Sequence, residues 1–464
     1  MLFSSISFLY FFLPIFLLVT FILPRQWRNG FLLLSSLLFY FVGEPKYVAL
    51  LIISSIIDFS AGLWIERHRG KPSAKRGLIL SICANLSLLF FFKYADLFIS
   101  TINAAFKAQI PLLNIPLPLG ISFYTFQTMS YTIDLYREKA TVQKNPLIFA
   151  NYVSMFPQLV AGPIVRYTTI AHELSNRTYT WDNLIYGTRR FVFGLAKKVL
   201  IANQLGELVS ALTEKAQPTS LSYWVATLAF AMQIYFDFSG YSDMAIGLGR
   251  MIGFHFLENF NYPFIAKSIS DFWRRWHISM TTWFREYIYI PLGGNRVSKG
   301  RWLFNIFAVW FCTGLWHGAS WNFIMWGLFF AVFMIIEKLL LAKPLEKAPA
   351  FISHMYVLVI VTFSFVIFYN ESLPEMGRWL TGMFGAGGLP FFSFEVMYHI
   401  KSYGLLLALA VIGVTPVPKM MVEKLFKSGR TLAIAELAAC IGLLLLSTAY
   451  LVDSSFNPFL YFRF

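Results

Sequence analysis

Charge is scarce in this sequence. Of 464 residues, 13% are Asp, Glu, Lys or Arg, about half the share of an ordinary soluble domain. Apolar residues make up 57%, in segments spread from end to end. That excludes a string of soluble domains and leaves an integral membrane protein, read as one polytopic domain over 1–464. Acids are scarcer than bases, 23 against 38, for a formal net charge of +15. The excess does not point to nucleic acid, because the basic residues lie between apolar spans, where the positive-inside rule puts them. Cysteine is rare too. Cys83, Cys312 and Cys440 lie far apart in apolar surroundings, without the spacing of a disulfide framework or a metal site; they read as small core residues. There is no phosphate-binding glycine loop, nucleophile elbow or zinc helix, and no internal repeat or low-complexity tract. Residues 1–24 lack a basic start and read as a first membrane helix, not a cleaved leader.

What is present is apolar length. A bilayer needs about 20 apolar residues per helix. Candidate spans cover 7–23, 29–43, 47–65, 77–92, 118–135, 146–164, 184–205, 221–253, 303–316, 321–341, 351–369, 400–417 and 431–452, so eleven to thirteen embedded helices are expected. Arg25 and Arg28, the run 66–76, Arg137, Lys139, Lys144, Lys419, Lys424, Lys427 and Arg430 mark the cytoplasmic side and put the N-terminus outside. Residues 155–166 carry Pro157, Gly162 and Pro163, and 234–254 carry Asp237, Asp243 and Arg250 among apolar residues. Both read as broken membrane segments. A core over 145–341 is therefore expected to hold broken and tilted helices, with ordinary lipid-facing helices in 1–144 and 342–464. Asp237 and Asp243 are open to a catalytic, an ion-carrying or a structural reading. In the structural one they pair with Arg250 or with arginines of 274–285. Asp58 and Asp134 read as lone acids near span ends, with no chemistry assigned.

The stretch 270–326 concentrates the unusual residues. At 100° per residue, 271–288 gathers Phe272, Trp273, Trp276, His277, Met280, Trp283, Phe284 and Tyr287 on one arc. Asp271, Arg274, Arg275, Ser279, Arg285 and Glu286 fall on the other. That is the pattern of an amphipathic helix lying at a membrane interface, with His277 at the edge of the apolar arc. Trp316-His317-Gly318 sits inside an apolar run too long for one span, and Gly314, Gly318, Ala319 and Ser320 predict a break there. An ionisable side chain at membrane depth is expensive. His317 is thus either a core residue satisfied by a neighbouring helix or a general base; His277 is either a polar edge residue or its assistant.

Several long segments resemble the membrane-bound O-acyltransferase family. They are FPQLVAGPIVRY, QIYFDFSGYSDMAIGLGRMIGF, DFWRRWHISMTTWFREYIYIPLGGNR and GLWHGASWNFIMWG, with PLGISFYTFQTMSYTIDLYR, the opening MLFSSISFLYFFLP and the closing NPFLYFRF. The likeness is to the bacterial alginate O-acetyltransferase branch, and more distantly to the branch that moves D-alanine onto teichoic acid. The resemblance implies an all-α fold of helices around a central tunnel, in the bacterial cytoplasmic membrane among its lipids. It implies His317 as the residue essential for acyl transfer, with His277 assisting. No permanent cofactor or metal is implied. The donor would be cytoplasmic acetyl-CoA and the acceptor an extracellular polysaccharide, reached through an SGNH- or esterase-like partner protein. Arg274 and Arg275 would meet the anionic donor, Trp316 and Asn322 would contact substrate, and Asn322 or freed backbone donors would hold the oxyanion. The alternatives are D-alanyl or other acyl transfer from a carrier protein and, in a different class, secondary transport. Transporters usually show repeated halves, and none is visible.

Overall fold

A computed structural model describes residues 1–215, 217–425 and 429–453. Lys427 and NPFLYFRF (457–464) lie outside the described residues. Among the described residues all regular structure is helical and there is no strand, so the expected all-α membrane fold is borne out. Five helices among the described residues are each long and apolar enough to cross a bilayer: Pro45–Arg67, Pro72–Phe106, Trp321–Lys347, Ala350–Tyr369 and Gly429–Asp453. A sixth follows if Phe394–Ser402 and Gly404–Gly413, bent by 57°, make one span. This is fewer than the eleven to thirteen read from apolar windows. The other windows fold into helices that are short, interrupted, or carry charge.

Local chemistry sets the helix starts. Proline, whose missing N–H costs nothing in a first turn, opens Pro72–Leu89 and Pro146–Ser154. In the second, Asn145 Oδ1 accepts from Leu147 N at 2.9 Å and Ile148 N at 3.4 Å, capping orphan donors. The break expected at 155–166 is present. Pro146–Ser154 ends, one turn forms at Phe156–Leu159, and the chain is not helical again until Tyr167.

The break expected at 234–254 is absent. Ser220–Met251 is one helix of 32 residues. Its glycines serve close packing instead. A Cβ on Gly240 would lie 2.7 Å from Gly194 O, and one on Gly247 2.6 Å from Gly187 O. Its acids are paired, but not with the expected arginines. Asp237 Oδ1 meets Lys198 Nζ at 2.6 Å, and Asp243 meets Arg190 at 2.6 Å. Arg250 instead reaches Asn183 at 3.3 Å. Sequence spacing could not reveal which helix the glycines would bring close.

The chain divides into two compact units, 1–191 with 242–258, and 192–241 with 259–464. In the first, the helices Val48–Arg67, Pro72–Leu89 and Ile121–Tyr136 pack around Asp58. Far from a span end, Asp58 is mid-helix and fully buried. It accepts from Ser81 Oγ at 2.5 Å and from Asn85 Nδ2 at 2.9 Å. In the second, Lys299–His317 packs on Trp321–Ile336, which also meets Ala350–Tyr369 and Ile269–Arg275. Gly429–Asp453 buries only Ser447. Cys83 is exposed, and Cys312 and Cys440 are half-buried, so the cysteines are not core residues. In a membrane protein the outer face is apolar as well, and a small apolar residue needs no core to sit in.

Candidate active site

His317 is the last residue of the helix Lys299–His317. Gly318 is extended (φ −166°, ψ 155°), Ser320 also, and the next helix starts at Trp321. The predicted break is therefore present. The two helices approach closely along glycines: a Cβ on Gly314 would lie 2.3 Å from Phe323 O, and one on Gly327 2.2 Å from Trp310 O. No larger residue fits there without parting the backbones.

The His317 imidazole is buried among rings. Its centroid lies 4.8 Å from Trp326, 5.1 Å from Trp316 and 5.7 Å from Phe368. It lines a cavity of about 30 Å³, walled by Phe272, Trp273, Trp276, Trp326, Phe330, Phe365 and Phe368, with Asp237, Phe238 and Ser364. That is room for about two water-sized groups. The indole Nε1 atoms of Trp273 and Trp326 are both buried and have no hydrogen-bond partner among the described residues. A buried donor left unpaired costs on the order of 1–3 kcal/mol, so two at one cavity ask for a reason. Asp237 carries charge to the cavity wall, matched by Lys198. Both side chains are 3% exposed, and Lys198 sits in a widened, π-helical turn, Lys197–Ala202, a distortion frequent at functional sites.

His277 departs from expectation. The segment 271–288 is not one helix. It forms Ile269–Arg275 and Ile278–Phe284, then a π-helical turn over Arg285–Tyr289. Between the first two, Trp276 is extended and His277 is left-handed (φ 45°, ψ 53°). His277 is fully buried, not at an edge. The arcs themselves hold: Phe272, Trp273, Trp276, Met280, Trp283 and Phe284 are buried and Arg274 and Arg285 exposed. The cause of the break is tertiary. Asn259 O accepts from Ile278 N and Asn261 N donates to Arg275 O, each at 2.9 Å, so the segment 259–261 clamps the turn. The first helix is held at its start by Ser268 Oγ on Asp271 N (2.9 Å) and by Glu337, whose carboxylate accepts from Ile269 N and Ser270 N (3.1 Å for the latter). Beside His277 lie Phe238, perpendicular at 4.7 Å, and Trp316 at 5.7 Å. Trp316 thus packs on both histidines.

The other expected residues are less central. Arg275 pairs with Asp271 at 3.0 Å and donates to Asn261 O at 3.3 Å. Arg274 is exposed. Neither lines the cavity. Asn322 is buried in the first turn of its helix, receives the Ser320 hydroxyl at Oδ1, and does not line the cavity either. Sequence reasoning missed Lys198, Asn259, Trp273 and Trp326 as site residues. Lys198 left a signal, a lysine inside an apolar run; Asn259 sits in mixed company beside Glu258 and Asn261, and the tryptophans were indistinguishable from packing.

The model of the family described as MBOAT, membrane-bound O-acyltransferase, matches residues 123–370. The chain is similar to a probable alginate O-acetylase of Azotobacter vinelandii, at 36% identity over all of both chains. It is similar to the peptidoglycan O-acetyltransferase of Helicobacter pylori, at 33% over all of this chain and 98% of that one. A teichoic acid D-alanyltransferase of Bacillus subtilis is 29% identical over 60% of this chain and 76% of its own length.

Proposed function

The chain belongs to the membrane-bound O-acyltransferase family, and from that premise we propose that it moves an acetyl group from a thioester donor, acetyl-CoA, onto hydroxyls of a polysaccharide, with His317 as general base. In this reading His317 takes the hydroxyl proton as the oxygen attacks the thioester carbon. The C–O bond forms, the C–S bond breaks, and the imidazolium returns the proton to the departing thiolate. The indole N–H groups of Trp273 and Trp326 receive the carbonyl oxygen as it gains charge. They replace Asn322 in that role, since they line the cavity and Asn322 does not.

The observation that carries the reading is the cavity: a buried histidine and two unpaired donors around about 30 Å³. A carbonyl and a methyl fill such a space. A D-alanyl group is larger and brings an ammonium, and the likeness to a D-alanyltransferase covers only 60% of the chain. Full-length likeness to two O-acetylases supports a polysaccharide acceptor; in the same proposal the donor arrives from the cytoplasm and a partner outside the membrane completes transfer. Retention of a small acidic carrier protein by the purified enzyme would favour D-alanyl transfer instead. The test is His317→Ala. The variant is expected in the membrane fraction at wild-type level, with the O-acetyl content of cell-surface polysaccharide lost. Normal acetylation would sink the proposal.

A further inference from the structure

The hydrogen bonds around Asn259 determine which nitrogen of His277 carries its proton. Asn259 is fully buried. Its Oδ1 lies 3.2 Å from the peptide nitrogen of Ser279 and 2.9 Å from the Ser279 hydroxyl. A peptide nitrogen only donates, so the carboxamide presents its oxygen here. Turned round, the amide would set an NH₂ group against that N–H, donor against donor. The same oxygen lies 3.2 Å from His277 Nδ1. Such an oxygen can only accept, so Nδ1 bears the hydrogen and the neutral ring keeps its lone pair at Nε2.

We propose that Asn259 is a positioning residue for acyl transfer: it fixes His277 as the Nδ1–H tautomer, so that Nε2 is the ring's hydrogen-bond acceptor. This rests on the O-acyl transfer reading above. Three features support it. Asn259 holds the turn twice, by its side chain on His277 and Ser279 and by its carbonyl on Ile278 N at 2.9 Å. The residue so held is in the left-handed region (φ 45°), a conformation that costs a non-glycine residue energy, persists only where the surroundings over-determine it, and clusters at functional sites. The ring does not itself line the cavity, but a ring packed against it does. Phe238, perpendicular to His277 at 4.7 Å, lines the same cavity as His317, and Trp316 packs against both imidazoles. Through the proposed reaction His277 accepts a hydrogen bond at Nε2. It cannot supply one from that atom until protonated.

The test joins a spectrum to kinetics. The full-length protein is labelled with [¹⁵N]histidine in nanodiscs, and His277 is assigned among the seven histidines by the signals lost in His277→Gln. The wild type is expected to show a protonated Nδ1 and a lone-pair Nε2. Asn259→Leu should scramble the tautomer and lower kcat at least tenfold, with donor KM within twofold. Asn259→Ser, too short to reach the ring but still polar, should do the same and serves if the leucine variant does not fold. Asn259→Asp keeps an acceptor oxygen and should restore both the tautomer and most of kcat. A wild-type ring protonated at Nε2, or full turnover in a folded Leu or Ser variant, overturns the proposal. The spectrum needs no turnover. A correct tautomer in a protein that transfers no acyl group would count against the O-acetyl reading while leaving the assignment standing.

Discussion

Trp326→Phe tests the oxyanion role in a way that separates chemistry from packing. The substitution keeps an aromatic ring 4.8 Å from His317 and removes one of the two unpaired N–H groups at the cavity. On stability, two effects oppose each other. The smaller ring leaves a void costing on the order of 1–2 kcal/mol. Deleting a buried donor that has no partner relieves on the order of 1–3 kcal/mol. The net change is expected within about 1–2 kcal/mol of zero, so the unfolding midpoint in detergent should barely move. On catalysis nothing offsets the loss. One donor to a developing oxyanion is worth on the order of 3–4 kcal/mol, a fall of about a hundredfold to a thousandfold in kcat. The assay is thiol release from acetyl-CoA in the presence of polysaccharide, with donor KM measured alongside. If kcat stays within threefold of wild type in a folded protein, the indole is packing and the oxyanion assignment fails. If kcat falls together with the unfolding midpoint, the loss reports collapse and not chemistry.

The remaining predictions follow from the charges and the cavity wall. Lys198→Met removes the cation from beside Asp237, a carboxylate whose side chain is 3% exposed, and should cost on the order of 3–5 kcal/mol; adding Asp237→Leu should recover much of it in the same thermal-unfolding measurement. Arg274→Glu should raise donor KM several-fold with little change in kcat, because Arg274 is exposed. Arg275→Glu should instead lower stability, since it sets a second acid beside Asp271, now 3.0 Å from Arg275; unchanged donor binding in the first variant rules out the electrostatic role. Phe368→Ala enlarges the cavity beside His317 and should raise the propionyl-to-acetyl rate ratio at least tenfold, a shift within the 1–3 kcal/mol that one methylene commands. Competition between the two thioesters measures it.

What was legible in the sequence was whatever a single segment decides for itself. Apolar length and scarce charge mark the all-α membrane fold. Pro157, Gly162 and Pro163 break the backbone wherever they sit, and the chain is indeed interrupted there. Gly314 and Gly318 flank a break that also formed. Gly240 and Gly247 are glycines in equally polar company, yet Ser220–Met251 runs unbroken. The difference is a neighbour. Those glycines face Gly194 and Gly187 on another element, and Lys198 and Arg190 arrive with it to neutralise Asp237 and Asp243. A lone sequence does not state which helix will lie alongside, so it shows the cost of a buried acid and hides what compensates it. The same limit hides which apolar windows fold as one long helix and which as short, bent pieces, because a window looks alike in both cases.

The two histidines show how far periodicity reaches and why it stops. Helical phase picked out the buried arc of 271–288, because each half keeps its phase, while on the polar arc only Arg274 and Arg285 are exposed and the rest are half-buried. Phase assumes an unbroken axis, and nothing in RRWHISM is a helix breaker. The break at His277 comes from Asn259 and Asn261, which take backbone bonds that a continuous helix would use internally. Its effect is chemical. Within a regular helix, a histidine at the edge of the apolar arc would face the interface. Placed at the junction of two short helices, it is fully buried, with Nδ1 3.2 Å from the side-chain oxygen of Asn259. His317 reaches a comparable position at the end of its own helix. Each imidazole therefore occupies a helix terminus, where the backbone leaves the helical path. There the side chain can be aimed by contacts from elsewhere in the chain, so the geometry of the two imidazoles is set by the two breaks and not by the amphipathic pattern on either side of them.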